Sequence, residues 1–277
     1  MKISPGKQAL ITGAAGGIGR AIALELARRG AALWLVDVNE AGFESVRCEV
    51  QALGAEVVAQ LCDLSKMDEI AACVNQVRER WGGLDILINN AGIAYYGPTE
   101  LMTAAQWQLV LAVNLLAPIE LIRLYDPLMR SRTESHIVNL CSFFGLVPYY
   151  KNAAYQTSKY GLVGLSQALR MEAAGTARGV TAICPGFVAD TNLFNAMEAP
   201  ESRKPQKPPS PWITCTPEKV AKVTVRAIER NRGLVVITPL ARLWWWGVRL
   251  APWLMEWIIT AAQKRKLRRA RRKTSSK

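Results

Sequence analysis

Histidine is almost absent from this chain, and its cysteines are scattered. His136 is the only histidine, and Cys48, Cys62, Cys73, Cys141, Cys184 and Cys215 form no CxxC pair and no cluster with it. Metal sites built on Cys/His spacing are therefore not expected. Most of the thiols sit inside apolar runs, where a free cysteine behaves as a small hydrophobe. Reduced core residues in a reducing compartment are the expectation. The chain also lacks an uninterrupted apolar run of about 18 residues, the length of a plain membrane span. Its opening, MKISPGKQALITG, passes from a short polar lead into a strand. No signal peptide is read there, and a cytoplasmic location is expected.

What is present suffices for one large core. At 277 residues, 50% hydrophobic and 21% charged, the chain fits a globular α/β protein. A net charge of +13 points to nucleic acid until it is located. Residues 264–277 carry nine Lys/Arg and no acid, leaving about +4 for everything before them. The basicity belongs to a tail.

Apolar runs of strand length recur at 8–12, 32–37, 56–61, 84–89, 136–141, 180–184 and 234–238, with amphipathic stretches such as GRAIALELARRG between most of them. Apolar runs without alternation belong to strands buried on both faces. Strand and helix alternating at this spacing predict a doubly wound α/β domain over residues 1–240. Its seven-stranded parallel sheet would carry helices on both faces. Residues about 189–216, rich in proline and charge, are expected to form a lid loop. Thr216-Pro217 then reads as the N-cap and first position of a helix over 217–231.

Thr12-Gly13-Ala14-Ala15-Gly16-Gly17-Ile18-Gly19 lies between the first strand and the first helix. Small residues there let the backbone approach a pyrophosphate, whose charge a helix N-terminus favours. Asp37 follows 18 residues after Gly19, at the end of the second strand. A carboxylate at that point accepts hydrogen bonds from ribose hydroxyls and repels a 2′-phosphate. Val38 and Asn39 beside it are neutral and the glycine loop has no Lys or Arg, so NAD is expected ahead of NADP.

The spacing TGxxxGxG resembles that of the short-chain dehydrogenase/reductase family, and the resemblance extends over roughly residues 6–240. Asp63-Leu64 is similar to the family's adenine contact, and Asn89-Asn90-Ala91-Gly92 to its NNAG motif. Tyr155-Gln156-Thr157-Ser158-Lys159 matches its YxxxK pair, with Ser142 13 residues upstream of Tyr155. Pro185-Gly186-Phe187-Val188 resembles its PG motif, and Asn114 occupies the position of its catalytic asparagine. The resemblance implies a Rossmann-type fold. It implies a dinucleotide held by Gly13, Gly17, Ile18, Gly19, Asp37, Asp63, Leu64, Asn90, Ala91, Gly92, Tyr155, Lys159, Pro185, Gly186, Val188 and Thr191. It also implies dimers or tetramers paired through the helix carrying Tyr155 and the one before it. One departure is that Asp190 occupies the family's threonine position, with Thr191 one later; a carboxylate near a pyrophosphate is unfavourable.

Tyr155 and Lys159 are i and i+4, so they share one helix face. A phenol with a pKa near 10 is a poor base at neutral pH, and an adjacent ammonium is expected to lower it. Tyr155 then takes the alcohol proton as hydride leaves, or returns it in reduction. By resemblance, Lys159 also holds the nicotinamide ribose, Ser142 holds the substrate oxygen and Asn114 supports a relay water. These four are the expected catalytic residues. His136, at a strand start, is expected to be structural.

The stretch RLWWWGVRLAPWLMEW, Arg242 to Trp257, holds five of the nine tryptophans. A helix over 242–260, at about 100° per residue, puts Arg249, Glu256 and Thr260 on a narrow polar stripe. Trp245, Trp246, Trp253 and Trp257 flank that stripe. Leu243, Val248, Leu250, Leu254, Met255, Ile258 and Ile259 lie opposite, with Trp244 the exception. Pro252 is expected to kink the helix. Residues 241–263 are read as an amphipathic membrane-associating segment and 264–277 as a basic tail drawn to anionic lipid. Packing of the tryptophans on the domain, over the substrate pocket, or on a second subunit competes with that reading. For the basic run, disorder is the plain alternative. Nucleic acid is not expected, since no basic surface elsewhere supports it.

The function expected is NAD-dependent interconversion of an alcohol and its ketone or aldehyde. A lipophilic substrate of steroid, retinoid or long-chain alcohol type would be held by Ser142, Tyr155, Phe187 and Phe194, under an apolar lid that includes Trp212. A silent NAD-binding module whose tail recruits partners is the alternative, against which the intact Ser142–Tyr155–Lys159 set argues.

Overall fold

The computed structural model describes residues 1–189 and 214–274. The expected lid residues Asp190, Thr191, Phe194 and Trp212 lie outside them. The chain opens with β1 (Gln8–Thr12), α1 (Gly17–Ala27), β2 (Ala32–Asp37), α2 (Glu40–Ala52), β3 (Val57–Leu61), α3 (Met67–Trp81) and β4 (Ile86–Asn89). A long helix follows, α4 (Ala104–Leu111) and α5 (Ala117–Arg130) joined by a π-helical turn at Ala112–Leu116. Next come β5 (Ser135–Leu140), α6 (Ala153–Glu172), β6 (Arg178–Cys184) and the short β7 (Phe187–Val188). The described chain resumes with β8 (Thr214–Cys215), α7 (Pro217–Glu229), β9 (Leu234–Val236), α8 (Pro239–Leu250) and α9 (Pro252–Thr274).

All seven expected strands join one parallel sheet, ordered β3-β2-β1-β4-β5-β6-β9, while β7 pairs with β8 alone. The strands are apolar on both sides because helices cover both. Ala9 and Ile11 of β1 enter the layer of α1, α2 and α7. Leu10, between them, enters the layer of α3 and α5. Thr216 caps α7, its hydroxyl accepting the Lys219 N–H, with Pro217 at the first position as expected. The helix Ala104–Arg130 is, among the described residues, the one long and apolar enough to cross a membrane by length and composition. It packs on α3 and on the sheet instead. From β3 the chain returns to place β4 on the other side of β1. The strand order reverses there, and the carboxyl ends of β1 and β4 at such a point are where doubly wound sheets take their ligands.

The phasing expected for the tail needs correction. Pro252 does not kink one helix; it separates two, with Ala251 (φ −138°, ψ 63°) between α8 and α9. The boundary placed at 240 falls inside α8, where Ala241 is buried and the Arg242 guanidinium donates to the Val236 carbonyl at 2.7 Å. Trp245, expected at a polar edge, packs against the cluster of Cys141, Leu162, Cys184, Val236 and Ala241. Arg249 lies 5.8 Å over its ring. The cause is tertiary: β9 is the edge of the sheet and α8 supplies the cover its apolar face needs. The residues left outside are Leu243, Trp246, Leu250, Trp253, Leu254, Trp257 and Ile258, all exposed. They come from both helices, which meet where Met255 packs on Gly247: a Cβ there would lie 2.9 Å from the Met255 sulfur. The second helix runs through the basic stretch to Thr274.

Candidate active site

The crevice between β1 and β4 is where the glycine loop lies. Gly13 and Gly17 have φ of +64° and +52°, the left-handed region that glycine tolerates. A Cβ on Gly13 would lie 2.8 Å from the Ala91 Cα, and one on Gly19 would collide with the Gly13 carbonyl. The loop is therefore pressed onto the β4 loop with no room for side chains. Gly16, by contrast, faces open space. It caps α1 with no side-chain hydrogen bond, and the first turn holds no acidic residue. The N–H groups of Gly17, Ile18 and Gly19 thus stand at a helix start without a side-chain cap, the arrangement a pyrophosphate needs.

The β4 loop braces this cradle. Thr12 Oγ1 accepts the N–H groups of Asn90 and Ala91, both at 3.0 Å. The Asn90 amide donates to the Thr12 and Gly13 carbonyls, both at 2.9 Å. Asp37 accepts the Ala15 N–H at 2.9 Å on one oxygen and those of Val38 and Asn39 at 2.8 and 3.1 Å on the other. A carboxylate is thereby fixed at the mouth of the loop. Asp63 accepts from the Ser65 N–H and hydroxyl at 2.9 and 2.7 Å, bonds that hold it below the usual carboxylate range. Leu64 turns its side chain into the core.

The four expected catalytic side chains come from three parts of the chain. Ser142 follows β5, Tyr155 and Lys159 lie on α6, and Asn114 sits in the π-helical turn. Such turns recur at functional sites because they displace one residue of a helix. Asn114 Oδ1 accepts the Ile93 N–H, and its amide donates to the Ile93 carbonyl, both at 2.8 Å, and to Ser158 Oγ at 3.1 Å. That side chain is a clamp between the β4 loop and α6. Gly92 closes the set: a Cβ there would lie 3.4 Å from Asn114 Oδ1 and 3.5 Å from Lys159 Nζ.

Tyr155 and Lys159 are both buried, the ammonium 5.7 Å from the phenol ring centre and donating to the Leu140 carbonyl at 2.7 Å. Ser142 Oγ accepts the Phe144 N–H at 3.1 Å and hydrogen-bonds Tyr155. The expected drop in the phenol pKa does not appear. Burial pushes Tyr155 up to about 12, with the Ser142 bond opposing, and drives Lys159 down to about 8. Desolvation disfavours both charges at once and is the largest cause of each shift. His136 is structural as expected. It is buried, bonded to Thr181 Oγ1 at 2.7 Å, and held neutral with its pKa driven down to about 3 by burial.

Phe187 and Val188 pair with Thr214 and Cys215, placing Phe187 against Phe144 with ring centres 5.6 Å apart. The Pro185 carbonyl accepts the Phe143 N–H at 2.8 Å, so the Pro185-Gly186 turn and the Ser142 loop are tied together. Reading the sequence alone missed the rest of this wall. Phe144, which packs on Tyr155, continues to Tyr149 at 4.7 Å, Tyr150 at a further 5.0 Å and Tyr96 at 6.5 Å. The signal lay in NLCSFFG and VPYYKN, which make up most of the stretch from Ser142 to Tyr155. Among the described residues no group of His, Cys, Asp and Glu fit to hold a metal is present.

Comparison with known proteins agrees with this fold. A family model for short chain dehydrogenases matches residues 7–202. The ketoacyl reductase HetN of Nostoc sp. is 33% identical over 232 residues, 84% of this chain and 78% of that protein. A short chain dehydrogenase/reductase from Burkholderia phymatum, solved in complex with NAD, superposes with a TM-score of 0.78 at 28% identity, over 90% of this chain and 96% of that one. A metagenomic short-chain oxidoreductase in complex with NADP gives a TM-score of 0.71 at 32% identity, over 86% and 99%. This chain belongs to the short-chain dehydrogenase/reductase family of oxidoreductases.

Proposed function

We propose that the protein interconverts a lipophilic alcohol and its ketone or aldehyde with NAD, using Tyr155 to move the proton. The observation that carries this reading is the buried contact of Ser142, Tyr155 and Lys159 beside an uncapped glycine loop. The dinucleotide supplies the hydride acceptor or donor when bound. Gly13, Gly17, Ile18 and Gly19 hold its pyrophosphate with backbone N–H groups, and Asn90, Ala91 and Gly92 keep that cradle open. Ser142 hydrogen-bonds the substrate oxygen. Tyr155, kept protonated by burial, donates to that oxygen in reduction; oxidation requires it to give up the proton and so speeds up as pH rises. Lys159 places its ammonium beside the phenol and opposes the cost of charging it. The fixed Asp37 carboxylate supports NAD over NADP, because a 2′-phosphate would sit against it.

The same reading places the protein peripherally on the cytoplasmic face of a membrane. Its support is the exposed apolar side of α8 and α9 leading into the Lys/Arg run of the tail. A lipophilic substrate partitions into the layer on which that side would rest. Pairing of subunits has support in the exposed Ile119 of α5 and Tyr160 and Met171 of α6.

The test is a screen of alcohols and ketones of graded hydrophobicity with NAD and NADP, followed by absorbance of the reduced nicotinamide. Turnover should rise with hydrophobicity, and Tyr155→Phe should abolish it while dinucleotide binding survives. A wild-type protein that binds NAD but turns over none of the panel would overturn the reading.

A further inference from the structure

Asn152 stands apart among the buried polar groups. It is 1% exposed, and neither atom of its side-chain amide has a hydrogen-bond partner among the described residues. Folded proteins leave few buried polar atoms unpaired, and an amide with both its donor and its acceptor idle is the mark of a missing partner. It lies at the start of α6, three residues before Tyr155 and two after Tyr150 of the Tyr149–Tyr150 stack.

The surroundings are held firmly. Gln156 clamps Tyr149, its carbonyl oxygen accepting the Tyr149 N–H at 2.7 Å and its amide donating to the Tyr149 carbonyl. The Asn152 carbonyl accepts the Gln156 N–H at 2.9 Å, and the Gly97 N–H donates to Lys151 O at 3.0 Å, which ties in the Tyr96 loop. The result is a fixed arc of rings: Phe187, Phe144, Tyr149, Tyr150 and Tyr96. Flat ring faces pack on such an arc better than a flexible chain does, since aromatic contacts favour defined planes and a chain loses rotamer freedom there. The cation of this loop, Lys151, is exposed.

We propose that Asn152 and this arc form a recognition subsite for an uncharged, ring-bearing ketone or alcohol carrying a second oxygen, which pairs with the Asn152 amide while the first reacts at Tyr155. The inference rests on Tyr155 as the reacting centre. It narrows the lipophilic substrate from any long-chain alcohol to a ring compound with two oxygens. A hydroxyl and a carbonyl serve equally as the second oxygen, because an amide both donates and accepts. Asn152 acts on specificity alone and takes no part in the proton transfer.

Four carbonyl compounds of ten carbons separate the two parts: a decalone, a decalindione, a linear decanone and a linear decanedione. For the wild type, kcat/KM should be highest for the decalindione and higher for either ring than for its linear match. Asn152→Leu should cut kcat/KM for the decalindione at least roughly tenfold, largely through KM, and leave the decalone unchanged, as expected where a site's polar group loses its substrate partner. Phe144→Leu should erode the preference for rings over chains. Should Asn152→Leu fail to fold, Asn152→Ala gives the same comparison. An unchanged decalindione-to-decalone ratio with a raised melting temperature would mean that the amide is only a structural cost and would end the proposal. So would a wild type that prefers the linear pair. Failure of all four compounds, together with inert simple alcohols, would instead sink the oxidoreductase reading beneath it.

Discussion

Thr12 and Asn90, 78 residues apart, hold each other from both sides: the Thr12 hydroxyl accepts the Asn90 N–H at 3.0 Å, and the Asn90 amide donates to the Thr12 carbonyl at 2.9 Å. The pair ties the glycine loop to the β4 loop where the strand order reverses. Thr12→Val removes the hydroxyl and leaves the Asn90 and Ala91 N–H groups unpaired. About 1–3 kcal/mol of stability should be lost, since a buried donor left unpaired costs that much. Dinucleotide affinity should fall with it. Unfolding in urea and titration with NAD measure the two effects. Normal affinity in a destabilised variant would show the brace to be structural only.

Under the proposed function, Asp37 decides between NAD and NADP. Asp37→Ala removes the carboxylate that a 2′-phosphate would meet. The ratio of kcat/KM for NAD over NADP should then fall on the order of tenfold or more, a difference of about 1.4 kcal/mol. Paired initial-rate measurements decide it. A ratio that does not move would assign the preference to another residue.

Lys159 makes stability depend on pH in a direction that can be worked out. Its pKa falls from 10.5 in a free lysine to about 8 in the fold. The unfolded chain therefore binds that proton more tightly, and the fold gains stability as pH rises from about 8 to about 10.5. Below that window the buried ammonium costs on the order of 3 kcal/mol. Lys159→Met removes this dependence. The stability of wild type relative to the variant should climb across the window, as followed by denaturant unfolding at a series of pH values. A flat difference would show that burial does not depress this lysine. Activity should be lost in the variant at every pH.

The tail is best tested with vesicles. The full chain should float with vesicles containing phosphatidylserine, and Trp246→Ala, Trp253→Ala and Trp257→Ala together should weaken that association even in high salt. Deleting 264–277 should weaken it mainly at low salt, because each charge near an anionic surface contributes about 1 kcal/mol and is screened. Equal behaviour on neutral and anionic vesicles would remove the basic run from the account. A shift to a larger oligomer without lipid binding would make the exposed face a subunit contact.

The doubly wound sheet was readable because its signals are local: strand-length apolar runs, helix starts such as Thr216-Pro217, and a glycine loop followed by Asp37. Ser142, Tyr155 and Lys159 were readable through the resemblance of their motifs to those of the family. What escaped depends on partners distant in sequence. Nothing near Asn114 announces that its side chain is spent on Ile93 and Ser158, and nothing near Trp245 announces the sheet edge it covers. The phenol pKa escaped for another reason. Spacing tells which charge is near Tyr155, whereas the opposing effect of burial appears only once the chain is folded around both groups.

The docking of α8 has a practical corollary for anyone who wishes to splice this protein. A graft or deletion joined at residue 240 would strip Ala241 and Trp245 from above Cys184 and Val236 and lay bare the sheet's last strand. Inactivity after such surgery would report a damaged scaffold and say nothing of what the tail does. The seam belongs after Leu250, where the chain leaves its helix at Ala251; only beyond it can the appendage be exchanged as a unit.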